Sequence, residues 1–318
     1  MSHLSFSLIN YPGPEWILEN DEYVFAVKKT NSKLTAEVRA FSTWSDYKIP
    51  SYRLNVSAKN DSCTDTEIFN VALNIVRLLS LATGHSVTFN IQEYCYGENK
   101  WEVWRTQMSD FKHIPAIVPD DSITEYLTTV LLNKNSLTTK KTEALDTIIH
   151  YINGLNDGYV EDRLRIMVVC FEILADNENF QFHRTENLKE LTMGIKQAYR
   201  VWLKQHPESD KNGFLLNRMT NSLDWDKAMS KIAYLLELYK IDTRETQLDL
   251  DRWIKLRDEV THTGRFKDYS DIEYVVNQLH FGTDILRIIL LLQLGYLGQV
   301  NWFENRFHKR SSISQLIK

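Results

Sequence analysis

The chain has 318 residues, of which 43% are hydrophobic and 25% are charged, and its formal net charge is −5. This apolar content suffices for a sizeable core, and the length predicts about two domains. With 11 glycines and 6 prolines, the composition excludes collagen-like and low-complexity classes, and the charge balance argues against a highly basic nucleic-acid coat protein.

The spacing of the cysteines and the length of the apolar segments indicate the cellular compartment of the protein. Cys63, Cys95 and Cys170 are far apart and never form a C-x-x-C pair. This pattern predicts a reducing compartment with no disulfide framework, and it gives no support to a structural zinc site. The first residues lack the basic and apolar segments of a secretory signal. The most apolar run, over 285–297, is too short to span a bilayer, so we expect a cytoplasmic protein without membrane contact.

The first 115 or so residues carry short runs typical of strands. The runs over 23–28 and 34–41 flank a polar dipeptide, which predicts a hairpin. Alternation of apolar and polar residues predicts another strand over 52–58. A further strand pair is predicted over 86–93 and 101–106.

One helix is predicted within this strand-rich region. Thr64 and Glu67 have the spacing of a capping box, apolar residues follow at helical spacing, and Gly84 ends the pattern. The N-terminal region is therefore predicted to be α+β, an antiparallel sheet with one packed helix.

From Ser122 onward the apolar spacing is helical almost throughout. Helices are predicted over 122–133, 138–153, 159–175, 188–205, 225–239, 243–263 and 269–296. Because the period changes from two to 3.6 near Pro115, we expect an α+β domain over 1–117 and an all-α bundle over 118–318.

The last predicted helix and the tail behind it carry two further expectations. Apolar residues cover nearly the whole circumference of the helix over 285–294, more than one core face requires, and this predicts a homodimer interface. Burial by neighbouring helices of the same chain is the alternative. The tail from Asn301 contains several basic residues and is interpreted as a solvated extension, with a basic patch as the alternative.

The segment from Leu256 to Gly264 contains an arginine and a histidine separated by four residues. Arg257 is followed by Asp258, and Gly264 stands two residues after His262. This pattern resembles the signature of HEPN domains, small helical bundles that are often metal-independent ribonucleases. In that family the motif lies near the start of the last long helix or just before it, and the predicted helix over 269–296 follows at the corresponding place. The resemblance covers roughly residues 120–300.

The resemblance implies a function and partners. It implies a HEPN-like domain over 118–318 that cleaves RNA as an endoribonuclease, with Arg257, Asp258 and His262 as catalytic residues and with neither cofactor nor metal. HEPN ribonucleases usually dimerise and form a composite cleft. A β-rich region before such a bundle is similar to bacterial ApeA-type HEPN proteins implicated in anti-phage defence. This resemblance implies that residues 1–117 act as a sensor or regulatory domain. It also implies abortive infection or a toxin–antitoxin role, with a phage-derived trigger or an antitoxin as a candidate partner.

Helix geometry constrains this motif. Asp258 and His262 are four residues apart and share a helix face, so the carboxylate could hydrogen-bond the imidazole and fix its tautomer. Arg257 and His262 are about 140° apart on an ideal helix. Either the helix ends near His262, or two protomers each contribute part of the site.

The chemistry of RNA cleavage needs few groups. A 2′-OH can attack its own phosphate without a metal ion, His262 can move the proton, and Arg257 can stabilise the developing charge. The competing interpretation is structural, with Arg257 in a surface ion pair and His262 at a helix C-terminus favoured by the macrodipole. A non-catalytic HEPN-like dimerising module, or a nucleotidyltransferase partner, is the alternative function.

Other candidate sites are weaker. Arg200 and His206 also match the arginine–histidine spacing, but Pro207 follows the histidine directly and we interpret the match as chance. His183 lacks a ligand pattern around it. The remaining candidates are interpreted as core aromatic residues or solvated acidic faces: Trp101 and Trp104 with Arg105, Glu161 with Asp162, and Asp249 with Asp251.

Overall fold

A computed structural model gives the fold of most of the chain. The described residues are 3–9, 11–29, 52–60, 62–85, 87–96, 99–104, 114–132, 138–154, 160–180, 186–207, 215–216, 227–241, 252, 255–256, 259–260, 272–304 and 307–317. Strands dominate the N-terminal third and helices dominate the remainder, which confirms the predicted α+β region followed by a mostly helical region.

Six strands form one antiparallel sheet in the order β2-β3-β4-β1-β5-β6. They are β1 (His3–Ile9), β2 (Trp16–Glu19), β3 (Tyr23–Lys29), β4 (Tyr52–Ala58), β5 (Thr88–Tyr96) and β6 (Asn99–Trp104). The predicted strand over 52–58 and the predicted pairing of β5 with β6 are confirmed. Strands β1 and β2 were not predicted.

Strand β3 corrects the first predicted hairpin. Its two edges pair with β2 and β4, so the prediction that it pairs with the run over 34–41 is wrong, and that run lies outside the described residues. One face of the sheet is apolar because buried residues alternate with less buried ones, as Phe25 and Val27 do in β3 and Leu54 and Val56 do in β4.

Helix α1 (Asp65–Thr83) packs against β1 and β4. Its predicted capping box is present: the N–H of Glu67 donates to the Thr64 hydroxyl, and the N–H of Thr64 donates to the Glu67 carboxylate. Gly84 ends the helix at a φ of 70°, and a Cβ there would lie 2.2 Å from the carbonyl oxygen of Ile114. Both predicted ends of α1 are therefore confirmed.

The helical region begins with a short 3₁₀ helix (Asp120–Ser122). It continues with α2 (Ile123–Leu132), α3 (Thr139–Gly154), α4 (Val160–Asn177), α5 (Glu186–Gln205), α6 (Lys227–Leu238) and α7 (Ile272–Gln293). These bounds agree with the predicted helices to within a few residues. Of the predicted helix over 243–263, residues 252, 255–256 and 259–260 are described, and all of them are helical.

A β-hairpin follows α7 and corrects two expectations. Strands β7 (Gln299–Glu304) and β8 (Phe307–Ser312) pair antiparallel, and α8 (Ile313–Leu316) follows. The region over 118–318 is therefore not all-α, and the chain from Asn301 is not a solvated extension. Val300, Trp302 and Phe303 are buried and anchor the hairpin to the core, while Lys309 and Arg310 of β8 stay exposed.

The segment around the predicted boundary between residues 117 and 118 belongs to the core. Ile114, Ile117 and Val118 are buried, and the N–H of Ile117 donates to the carbonyl of Ala82 at 2.9 Å. The N–H of Asn301 donates to the carbonyl of Ile117 at 2.7 Å. One hydrophobic cluster extends from β1 to α8 across this segment. The two-domain division stays a prediction, and the segment is not an exposed linker.

Within the described ranges, two helices, α1 and α7, are long and apolar enough to cross a membrane by length and composition alone. Within the fold, 56% and 78% of their apolar windows are buried. They are therefore consistent with core helices of a soluble protein. Residues 281–291 of α7 are all buried within the chain itself, so its apolar circumference does not by itself require a partner.

Candidate functional site

The three predicted catalytic residues, Arg257, Asp258 and His262, lie outside the described residues. Their positions relative to one another, and their roles, therefore stay predictions. The described residues beside them are informative. Leu256 and Val260 are 6% and 1% exposed and belong to the hydrophobic core, whereas Lys255 is exposed.

Residues four apart lie on one face of a helix. Leu256 and Val260 thus form an apolar face that packs into the core, which agrees with the helix predicted over 243–263. The core that buries this face also buries most of α7, the last long helix of the chain.

The second arginine–histidine pair lies at the end of α5. Arg200 and His206 are both exposed, and the His206 ring stacks on the indole of Trp202 with 5.0 Å between ring centroids. The Nδ1 of His206 lies 3.1 Å from the Trp202 carbonyl oxygen. These contacts lie within the last turn of one helix and hold His206 as a helix-end residue.

The remaining candidates give no second site. Asp162 pairs with Arg165 at 3.7 Å on α4, and Glu161 is buried. Trp101 and Trp104 lie on β6. Among the described residues, no group of three His, Cys, Asp or Glu side chains could hold a metal ion. The others lie outside the described residues: Arg105, His183, Asp249 and Asp251.

Sequence reasoning missed a line of ionisable residues on α7. His280, Asp284 and Arg287 are spaced by four and three residues, so they share one face of an otherwise apolar helix. Asp284 is 3% exposed and Arg287 is fully buried. The signal was visible in this spacing, but the stretch over 285–297 was interpreted only as an apolar run.

Arg287 joins α7 to the C-terminal end of α1. One Nη donates to the carbonyl of Pro115 at 2.6 Å, and the other donates to the carbonyls of Leu81 and Ala82 at 2.8 and 3.3 Å. Its Nε has no hydrogen-bond partner among the described residues. The last carbonyls of a helix lack intrahelical donors, so the guanidinium supplies the bonds that α1 cannot make for itself.

Asp284 joins α7 to the C-terminal hairpin. Its Oδ2 accepts a hydrogen bond from the N–H of Phe303 at 2.9 Å and lies 3.8 Å from the Nε2 of His308. His280 stacks on Phe303 with 4.7 Å between centroids and faces His308 edge-on at 6.4 Å. One carboxyl and two imidazoles therefore meet where α7 packs against the hairpin. His308 could not be foreseen, because its position depends on a hairpin that was not predicted.

Burial sets the protonation of this cluster. It raises the pKa of Asp284 to about 7, although Arg287 and the Phe303 N–H act in the opposite direction. Burial also lowers the pKa of His280 and of His308, with Arg163 and Arg287 respectively among the further causes. Near neutral pH Asp284 can hold or release a proton, which makes the contact between α7 and the hairpin sensitive to pH.

Comparison with protein-family models gives no match. Comparisons with curated proteins and with solved structures give none either.

Proposed function

We propose that the chain is a cytoplasmic, metal-independent endoribonuclease of the HEPN type. The observation that carries the proposal is the order Arg257, Asp258, His262 and Gly264 immediately before the last long helix. Two features of the fold support it: the described part of the region over 118–318 is mostly helical, and Leu256 and Val260, which flank Arg257 and Asp258 in the sequence, are helical and buried in the core.

The proposed reaction is transesterification within one RNA strand. The ribose 2′-oxygen loses its proton to His262 and attacks the adjacent phosphorus, while Arg257 stabilises the charge that develops on the phosphate oxygens. The bond from phosphorus to the 5′-oxygen of the next nucleotide breaks, and that oxygen takes up a proton. The products are a 2′,3′-cyclic phosphate and a 5′-hydroxyl. Asp258 positions the imidazole of His262.

The biological role in this proposal comes from the resemblance alone. The N-terminal sheet and α1 act as a sensor or regulator, the active form is a homodimer, and cleavage serves anti-phage defence or abortive infection. A phage-derived trigger or an antitoxin controls the activity.

A non-catalytic interaction module is the second candidate function. The exposed apolar side chains of α5, which include Leu191 at 52% and Val201 at 56% exposure, are the observation that favours it. A protein that leaves every RNA intact but associates through this helix would support the module.

Cleavage of labelled RNA in excess EDTA tests the proposal. The wild type cuts, whereas His262→Ala loses about 10²–10⁴-fold in rate because proton transfer is removed. Arg257→Ala loses on the order of 10²–10³-fold, and Arg257→Lys recovers little because a point charge cannot reproduce the guanidinium fork. Asp258→Asn has a milder defect.

The matched control is Arg200→Ala, which removes the exposed arginine of the second match and leaves the rate unchanged. Each variant must keep the wild-type melting temperature and oligomeric state. Cleavage by His262→Ala at the wild-type rate, or loss of cleavage on chelation alone, overturns the proposal.

A further inference from the structure

Helix α5 exposes more large apolar side chains than any other described element. Exposed fractions reach 52% for Leu191, 61% for Met193, 56% for Val201 and 38% for Trp202. Ala198 is exposed as well. Single exposed apolar residues are normal on a soluble protein, but a contiguous group marks a contact surface.

Most of these residues form one stripe. At 100° per residue, Leu191, Gly194, Ala198, Val201 and Trp202 fall within a sector of about 100°. A Cβ at Gly194 would meet nothing within 4 Å, so this part of the stripe is open. We call these five residues the α5 stripe. Met193 lies about 130° from its centre.

The stripe is distinct from the side of α5 that packs against the rest of the chain. Thr192 and Tyr199, which are 4% and 7% exposed, lie about 120° round the helix from the centre of the stripe. Between the two sides runs an apolar groove of about 360 Å³, lined by Ile195, Ala198, Tyr199, Trp202 and Leu215. Helix α5 thus has one side that is buried and a second, apolar side that is uncovered.

Charges beside the stripe indicate what covers it. Glu190 and Lys204 are exposed and lie on the same margin of the stripe. They stand about 10 Å and 11 Å from its middle, in opposite directions along the axis. Two antiparallel copies of α5 can be related by a two-fold axis perpendicular to both helices. This symmetry places the charged margins of the two copies on the same side of the helix pair. Glu190 of one copy therefore lies beside Lys204 of the other.

We propose that the α5 stripe is a self-association surface, on which a second copy of this chain docks its own α5 antiparallel. Gly194 and Ala198 let the helix backbones approach, and the apolar groove receives the larger side chains of the other copy. Antiparallel helix dipoles add to the attraction. The inference does not depend on RNA cleavage.

The size of the stripe sets the expected affinity. A 20-residue helix is about 30 Å long, and one helix pair buries less than the ~800 Å² per partner of a standard interface. We therefore expect a dimer that forms in the micromolar range rather than an obligate one.

Sedimentation velocity of the full chain from 1 to 100 µM, without RNA, is the test. Leu191→Glu is expected to raise the dissociation constant at least about tenfold, because it places a charge in the apolar contact. The matched control is Met193→Glu, an equally exposed apolar residue of the same helix off the stripe, which is expected to leave association unchanged.

A charge exchange tests the antiparallel geometry. Glu190→Lys is expected to weaken association, and Glu190→Lys with Lys204→Glu is expected to restore it. A monomer at 100 µM, equal loss in the Met193→Glu control, or no rescue by the double variant overturns the inference. A monomer that cuts RNA overturns the surface and the homodimeric active form but leaves the proposed cleavage chemistry standing, whereas a dimer that leaves RNA intact overturns the proposed cleavage alone.

Discussion

A helix of a soluble protein usually buries its apolar residues and exposes its charged ones, and α5 and α7 depart from this rule in opposite ways. Helix α7 buries Asp284 and Arg287 inside the chain, whereas α5 exposes Leu191 and Trp202 on its surface. Both helices are long, at 20 and 22 residues, and both were predicted from spacing alone. The contrast teaches that periodicity locates a helix, while its neighbours decide which residues are covered.

The buried charges of α7 join separate parts of the chain. The guanidinium of Arg287 holds the end of α1, and the carboxyl of Asp284 holds the hairpin backbone at Phe303. Burying a charge costs folding free energy unless hydrogen bonds compensate for the lost water. These two residues therefore contribute a defined arrangement of α1, α7 and the hairpin more than they contribute stability. The exposed stripe of α5 has no such internal role.

Replacing Arg287 has the largest expected effect on the free energy of unfolding. Arg287→Met leaves the carbonyls of Leu81, Ala82 and Pro115 without this donor, and we expect a loss of about 3–5 kcal/mol. The matched control is Arg165→Met, at a half-exposed position on α4, which should change stability by less than about 0.5 kcal/mol. Urea denaturation measures both. A loss of under about 1 kcal/mol in Arg287→Met contradicts the inference that Arg287 holds the end of α1 against α7.

Replacing Asp284 has a smaller effect that depends on pH. The carboxyl has a pKa of about 7 in the folded chain and about 4 when unfolded. Between these values the folded state holds a proton that the unfolded state has lost, so stability falls as pH rises from about 4 to about 7. Asp284→Asn is expected to remove this fall and to be more stable than the wild type by about 2–4 kcal/mol at pH 8.

The Asn variant keeps an acceptor for the Phe303 N–H and cannot ionise. His280 and His308 have lowered pKa values, so they destabilise the fold as pH falls below about 6.5, in both proteins. The difference between wild type and variant therefore isolates Asp284. Urea denaturation at pH 5, 6, 7 and 8 measures it, and a difference that stays constant with pH contradicts a buried, titrating carboxyl.

Replacing Gly194 on α5 by alanine has the smallest expected effect on the free energy of unfolding. A Cβ there meets nothing within 4 Å, so Gly194→Ala should stabilise the monomer by about 0.5–1 kcal/mol through helix propensity. Denaturation followed by tryptophan fluorescence below 1 µM, about where the dimer should dissociate, measures this. A loss of stability would show that the stripe is already covered within the chain.

Local signals in the sequence were sufficient for much of the fold. The capping pair Thr64 and Glu67 and the left-handed Gly84 gave both ends of α1, because caps are set by residues adjacent in sequence. The pairing of β5 with β6 followed from two strand-like runs around a short turn. The helix bounds from α2 to α7 followed from apolar spacing.

Features that depend on distant contacts were not predicted. Strand β8 is exposed and basic, so its sequence resembles a tail, and only packing of Trp302 and Phe303 on the core makes it part of a hairpin. The partners of Arg287 lie about 170 to 210 residues earlier in the chain. The site at Arg257, Asp258 and His262 rests on sequence alone, because all three lie outside the described residues.

The chemistry of the RNA ends distinguishes metal-independent transesterification from metal-dependent hydrolysis. RNA labelled at one end is incubated with the protein in excess EDTA, and the termini of the fragments are identified by mass spectrometry. Metal-independent cleavage through His262 predicts 2′,3′-cyclic phosphate and 5′-hydroxyl ends, formed by the wild type and not by His262→Ala. Fragments with 3′-hydroxyl and 5′-phosphate ends, or fragments that appear only when a divalent cation is supplied, would contradict it.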